Sequence, residues 1–190
     1  MSILKNALMM SHDYIKRIVE PGDIVIDATA GNGNDTLMLA NLVGESGKVY
    51  SFDIQEKAIK NTYKKLSDAG VENRVTLIMD GHQNMDKYVS EKGRVKAVMF
   101  NLGYLPGGDH NISTKPSTTI DAIKKAMNII TTGGLISIVV YYGGDTGFEE
   151  RDRVMQFIET INSKEFVAMK TCYVNQINCP PFLICIEKLK

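Results

Sequence analysis

Apolar residues recur at helical spacing at Leu4, Leu8, Ile15, Ile18 and Val19 before Pro21-Gly22-Asp23 interrupts the period, which predicts an N-terminal helix. Beyond that break the pattern changes. Short β-rich runs at 24–26, 48–52, 75–79, 95–100 and 135–140 alternate with helical patterns near 35–43, 56–69, 82–90 and 117–131. This βαβ rhythm predicts a parallel sheet with helices on both faces. A further helix near 148–161 is followed by two strand-like segments, 166–174 and 182–186, separated by a short Asn/Pro connection. That spacing predicts a closing antiparallel hairpin, and Gly133-Gly134 reads as a helix-to-strand turn. The expected fold is α/β: a doubly wound, mostly parallel seven-stranded sheet preceded by a helix.

The length of 190 residues suits one domain, 1–190, with one site. The composition, 44% apolar and 23% charged, is that of an ordinary globular chain. Lysine plus arginine equal aspartate plus glutamate at 22 each, which argues against indiscriminate attraction of polyanions without excluding a local nucleic-acid site. Cys172, Cys179 and Cys185 lack metal-ligand spacing and read as reduced, buried thiols, so no metal is expected. No leader pattern and no run of eighteen apolar residues is present, which predicts a cytoplasmic protein without a membrane anchor.

The most informative stretch is Val25-Ile26-Asp27-Ala28-Thr29-Ala30-Gly31-Asn32-Gly33-Asn34-Asp35-Thr36, a buried strand entering a helix through a glycine turn. Glycines let a ligand approach the backbone, and the amides of the following helix N-terminus favour an acidic group or a bound carboxylate. Asp53, in Tyr50-Ser51-Phe52-Asp53-Ile54-Gln55, ends the second strand twenty residues after Gly33, where its carboxylate can accept both hydroxyls of a ribose. Met79-Asp80-Gly81-His82 ends the third strand, close to where an adenine would lie. Each piece alone has a plain structural reading as a tight turn, a solvated carboxylate or a helix cap. Their order at successive strand ends favours an adenosine cofactor.

Two features favour S-adenosyl-L-methionine over a dinucleotide. Thr36 stands where the G-x-G-x-x-G pattern has its last glycine, and Asp27 precedes the turn, where it suits an ammonium group and opposes a pyrophosphate. An NAD-dependent oxidoreductase and a non-catalytic cofactor-binding module are the competing classes.

The fourth strand ends in Asn101-Leu102-Gly103-Tyr104-Leu105-Pro106-Gly107-Gly108-Asp109-His110. Asn101 offers an acceptor and Tyr104 a flat face, a pair suited to orienting an amine, and the stretch is similar to the Asn-Pro-Pro-Tyr loop of amino-group methyltransferases. It differs by Leu102-Gly103 in the middle. Asp109, His110 and His12 are candidate bases, and the alternative is a turn-rich loop without chemistry. Segments 113–119 and 141–145 either contact RNA or cap helices and form turns, and the lysines Lys57, Lys60, Lys64 and Lys65 read as a solvated helix face.

Taken together, Asp27 to Thr36, Phe52-Asp53-Ile54-Gln55, Gly81-His82, Asn101 to Asp109 and Asn175-Gln176-Ile177-Asn178-Cys179-Pro180-Pro181-Phe182 resemble the MnmM (YtqB-type) methyltransferases, a family formerly described as rRNA methylases. The likeness spans nearly the whole chain. It implies a class I, Rossmann-like methyltransferase that acts on the 5-aminomethyl group of 5-aminomethyl-2-thiouridine at the tRNA wobble position. It also implies contact with an anticodon stem-loop, and a homodimer. By the same resemblance Asp27, Gly31, Asn32, Gly33, Asn34, Asp53, Gln55, Gly81, His82 and Asn101 line the cofactor, and Asn101, Tyr104 and Asp109 serve catalysis. At 141–150, where the family pattern leads to a Gly-His-Pro turn, this chain has Gly143-Gly144-Asp145-Thr146-Gly147.

Overall fold

In a computed structural model the chain is described at residues 3–103, 114–142 and 147–190. Helix α1 (Ala7–Ile18) begins where the Asn6 side chain accepts from Met9 N at 2.8 Å. Strand β1 (Ile24–Asp27), helix α2 (Asn34–Val43), strand β2 (Lys48–Phe52), helix α3 (Glu56–Asp68) and strand β3 (Val75–Ile78) form the first half. The second half comprises β4 (Val95–Leu102), α4 (Pro116–Ile129), β5 (Ile130–Val140), α5 (Gly147–Glu159), β6 (Phe166–Thr171) and β7 (Phe182–Lys188).

The seven strands lie in the order β3-β2-β1-β4-β5-β7-β6. The first five run parallel, and β7 is antiparallel to both β5 and β6, so the expected doubly wound sheet and closing hairpin are both present. Successive residues of a strand point to opposite faces. Val25, Val49 and Met99 accordingly pack with Ile15, Leu39, Val43 and Leu66 on the face of α1, α2 and α3. Ile26, Phe52 and Phe100 pack with Ile123, Ile129 and Val154 on the face of α4 and α5. The chain crosses from one face to the other between β3 and β4, and β1 and β4 lie side by side at the reversal of strand order. That reversal opens a crevice at the carboxyl ends of the strands.

Three expectations are corrected. The helix read at 82–90 is a short 3-10 turn, His82–Lys87, with Asn84 N on Gly81 O at 2.9 Å and Tyr88 N on Met85 O at 3.1 Å. Asp80 tightens it, accepting from Gly81 N at 2.7 Å, Asn84 Nδ2 at 2.9 Å and Tyr88 OH at 2.9 Å. Gly133-Gly134 lies inside β5 rather than before it, where the pairing with β4 shifts register. Of the three free cysteines only Cys185 is buried; Cys172 follows the exposed edge strand β6 and Cys179 lies in the connection to β7. No described helix is long and apolar enough to cross a membrane.

Candidate active site

The turn after β1 is built by backbone bonds to both neighbouring strands. Ala28 N donates to Met99 O and Ala30 N to Phe52 O, each at 2.8 Å, which holds the turn between β4 and β2. Gly33 N then donates to Ala30 O at 2.8 Å, and Gly33 caps α2 with φ +76°. A side chain there would be strained, and its Cβ would stand 2.8 Å from Thr62 Cα, so α3 packs on this glycine. Asn32 and Asn34 direct side-chain oxygens to α3: Asn32 Oδ1 accepts from Asn61 Nδ2 at 3.1 Å and Asn34 Oδ1 from Lys65 Nζ. The side-chain bonds of these two predicted cofactor residues thus run to α3.

Asp53 stands just beyond β2 and ties two loops together. Its Oδ2 accepts from Gly31 N and its Oδ1 from Gln55 N, each at 2.9 Å. Each carboxylate oxygen has a second lone pair. Gln55 precedes the first residue of α3. At the end of β3, His82 is buried, packs edge-on to Phe100 with ring centroids 5.6 Å apart, and donates from Nδ1 to Ala28 O at 3.1 Å. Burial holds its pKa below the ordinary value, so the ring is neutral and its Nε2 is an acceptor.

Asp27 has no solvent exposure. Its Oδ1 accepts from Thr29 N at 3.1 Å and its Oδ2 from Thr36 Oγ1 at 2.6 Å, and Thr36 Oγ1 also meets Ser51 Oγ at 2.9 Å. The threonine in place of a third glycine therefore fastens α2 to the strand through its hydroxyl. Each Asp27 oxygen thus has one partner inside the protein, and an ammonium group would be held through the remaining lone pairs. Burial, and then the charge of Asp35, push the Asp27 pKa up to about 7, with Asp53 adding to the effect.

Asp35 joins groups from three elements, and sequence reasoning assigned it no role. Its Oδ1 bonds His12 Nε2 of α1 at 2.7 Å, and its Oδ2 accepts from Asn101 Nδ2 of β4. Asn101 N donates to Thr29 Oγ1 at 2.8 Å, so the end of β4 is fixed to the turn. Asn101 Oδ1 is buried and has no hydrogen-bond partner among the described residues. The available signal was an acid in the first turn of the helix after a glycine turn, but its partners lie 23 and 66 residues away.

Beyond β4 the expected Tyr104, Asp109 and His110 fall outside the described residues. The ends of that segment are joined: Gly103 N donates to Thr114 Oγ1 and Thr114 N to Gly103 O, both at 3.0 Å. Thr114 Oγ1 and Thr119 Oγ1 donate to the buried Glu150 at 2.6 and 2.7 Å, a role for Glu150 that sequence reasoning missed. Burial raises the Glu150 pKa. The threonines of 113–119 that are described thus serve local structure, Thr118 Oγ1 included, which donates to Lys115 O at 3.0 Å. Among the described residues no group of three or more His, Cys, Asp or Glu is placed to hold a metal ion.

A 3-2-1-4-5-7-6 sheet with a glycine turn after β1, a carboxylate after β2 and an asparagine ending β4 defines the class: a class I methyltransferase. The family model described as "Putative rRNA methylase" matches residues 49–187, and the chain belongs to this family. The tRNA (mnm(5)s(2)U34)-methyltransferase, chloroplastic, of Arabidopsis thaliana is 38% identical over 97% of this chain and 70% of its own length. A structure from Clostridium thermocellum described as "putative rRNA-methylase" shares 61% identity and a TM-score of 0.97, over 99% of this chain and all of its own. A structure from Streptococcus mutans described as "a putative methyltransferase", in complex with SAH, shares 43% identity and a TM-score of 0.90, over 98% of this chain and all of its own.

Proposed function

We propose that residues 1–190 form one methyltransferase domain that uses S-adenosyl-L-methionine to methylate the 5-aminomethyl group of 5-aminomethyl-2-thiouridine at the tRNA wobble position, giving 5-methylaminomethyl-2-thiouridine. The observation that carries this reading is Asn101 Oδ1, a buried acceptor without a described partner, beside the acidic turn of Asp27 and Asp35. An unpaired buried acceptor costs about 1–3 kcal/mol, and a substrate N–H would satisfy it. The Arabidopsis relative acts, by its name, on mnm(5)s(2)U34 of tRNA, which supports the amine as acceptor.

The residues present fit the cofactor. Asp27, Asp35 and Asp53 make the crevice acidic, which suits a ligand carrying a sulfonium and an ammonium and opposes a pyrophosphate. Bound there, the cofactor supplies an electrophilic methyl group. Asp53 would hold two ribose hydroxyls with its remaining lone pairs, the backbone of Gly31, Asn32, Gly33 and Asn34 would hold the methionine end, and Gln55, Gly81 and His82 would border the ribose and adenine. Asn101 then orients the neutral amine, and the family resemblance assigns Tyr104 and Asp109 to catalysis, Asp109 as a candidate proton acceptor.

A local rim around this crevice receives the anticodon stem-loop, which agrees with zero net charge, and the protein acts in the cytoplasm as a homodimer. The division of roles is tested by two variants. Asp53→Ala abolishes most cofactor affinity, whereas Asn101→Ala lowers kcat and leaves that affinity largely intact. Equal loss of affinity in both contradicts the assignment.

A further inference from the structure

The geometry points to Asp35 and His12 as positioning residues that set the Asn101 amide with its oxygen toward the methyl-accepting amine. This rests on the reading that Asn101 contacts that amine. A carboxylate only accepts hydrogen bonds, so the Asn101 atom facing Asp35 Oδ2 is the NH2 group, and the amide oxygen lies on the other side. If Asp35 were a donor, the amide would be free to flip and present its NH2 to the substrate, a donor facing N–H donors. Asp35 is therefore the group that specifies an acceptor at this position.

His12 completes the chain. Its Nε2 lies 2.7 Å from Asp35 Oδ1, and it stands on α1, whose Ser11 is locked to β5 through Ser137 Oγ at 2.6 Å. Asp35 is itself buried, at 7% exposure, so a fixed donor on its second oxygen also compensates its desolvation. The hydrogen bonds between His12 and Asp35 and between Asp35 and Asn101 form one chain from α1 to β4, through which His12 acts on the Asn101 amide. The N-terminal helix, which lies before the glycine turn in sequence, thus contributes to the substrate side of the site.

The test compares wild type, Asp35→Asn, His12→Phe, His12→Gln and the Asp35→Asn/His12→Phe double variant. Three readouts are needed: SAH affinity by calorimetry, kcat and KM on tRNA carrying 5-aminomethyl-2-thiouridine, and the side-chain amide NMR signals of Asn101. Asp35→Asn is expected to lower kcat on the order of 10- to 100-fold, the penalty of a misplaced reacting group. SAH affinity, which also feels the Asp35 charge, is expected to fall by much less than kcat does. The Asn101 amide protons, shifted downfield by the carboxylate in wild type, move upfield in this variant. His12→Phe lowers kcat, His12→Gln recovers most of it by restoring a donor, and the double variant is no slower than Asp35→Asn alone. An unchanged kcat in Asp35→Asn, or multiplicative losses in the double variant, overturns the inference while leaving the function in place. Wild type that binds SAH but does not methylate this tRNA overturns both.

Discussion

Gly31 donates its backbone N–H to Asp53 Oδ2 at 2.9 Å, joining the turn after β1 to the loop after β2 across 22 residues. On the proposed reading one carboxylate would shape the methionine end of the cofactor site and keep its remaining lone pairs for the ribose. Asp53→Ala removes both functions. Charge-assisted hydrogen bonds contribute about 1.5–3 kcal/mol each, so loss of two of them is expected to lower SAH affinity by about 100-fold or more in calorimetry. Asp53→Asn, which keeps one acceptor, should lie between.

Asp27 gives the protein a pH signature. Its carboxyl is held at about 7 against an ordinary 3.8, so between those values the folded chain binds more protons than the unfolded one. Its contribution to stability therefore falls as pH rises from about 4 to about 7 and is level above. A cationic ligand favours the ionised form, so S-adenosylmethionine should bind more tightly as pH rises from about 5.5 to 7.5. Asp27→Asn is expected to flatten both curves relative to wild type, measured by thermal melts and calorimetry across that range. Parallel curves for the two proteins would show that Asp27 does not titrate there.

Gly33 combines φ +76° with a Cβ position 2.8 Å from Thr62 Cα. Gly33→Ala should therefore strain the turn and push α3 away, at about 1–3 kcal/mol. For a chain of this length that corresponds to a fall in Tm of roughly 2–12 °C, and SAH affinity falls with it. A variant as stable as wild type would contradict the packing described.

Glu150 anchors the stem of the β4–α4 connection through Thr114 and Thr119. Glu150→Ala leaves the buried Thr119 hydroxyl without its acceptor, which costs about 1–3 kcal/mol. The melting temperature should drop by several degrees and kcat should fall, while SAH affinity is retained. Loss of cofactor affinity would mean that Glu150 acts on the other half of the crevice.

Much of this architecture is visible in the pattern of residues because its determinants are local. The apolar runs of β1, β2 and β4 and the helical spacing of α3 and α4 mark the elements, and the short connection before Phe182 announces the antiparallel hairpin. Asp53 was readable because its distance from the glycine turn is fixed by one helix and one strand. The Asp35–Asn101, Asp35–His12 and Thr114–Glu150 contacts were not, since each joins elements that only the sheet order brings together. Asp27 was placed correctly at the turn, but its burial follows from Thr36 and Ser51 closing over it. The cysteines went astray for a similar reason: Cys172 follows β6, and its exposure follows from that strand being the edge of the sheet.

Transfer of one methyl group to a tRNA amine is read out by nucleoside mass spectrometry of tRNA carrying 5-aminomethyl-2-thiouridine after incubation with the protein and S-adenosylmethionine. Conversion of that nucleoside to 5-methylaminomethyl-2-thiouridine is expected, abolished or strongly reduced with Asp53→Ala. An unchanged nucleoside, from a protein shown separately to bind the cofactor, would contradict it and direct the search to ribosomal RNA or small-molecule amines.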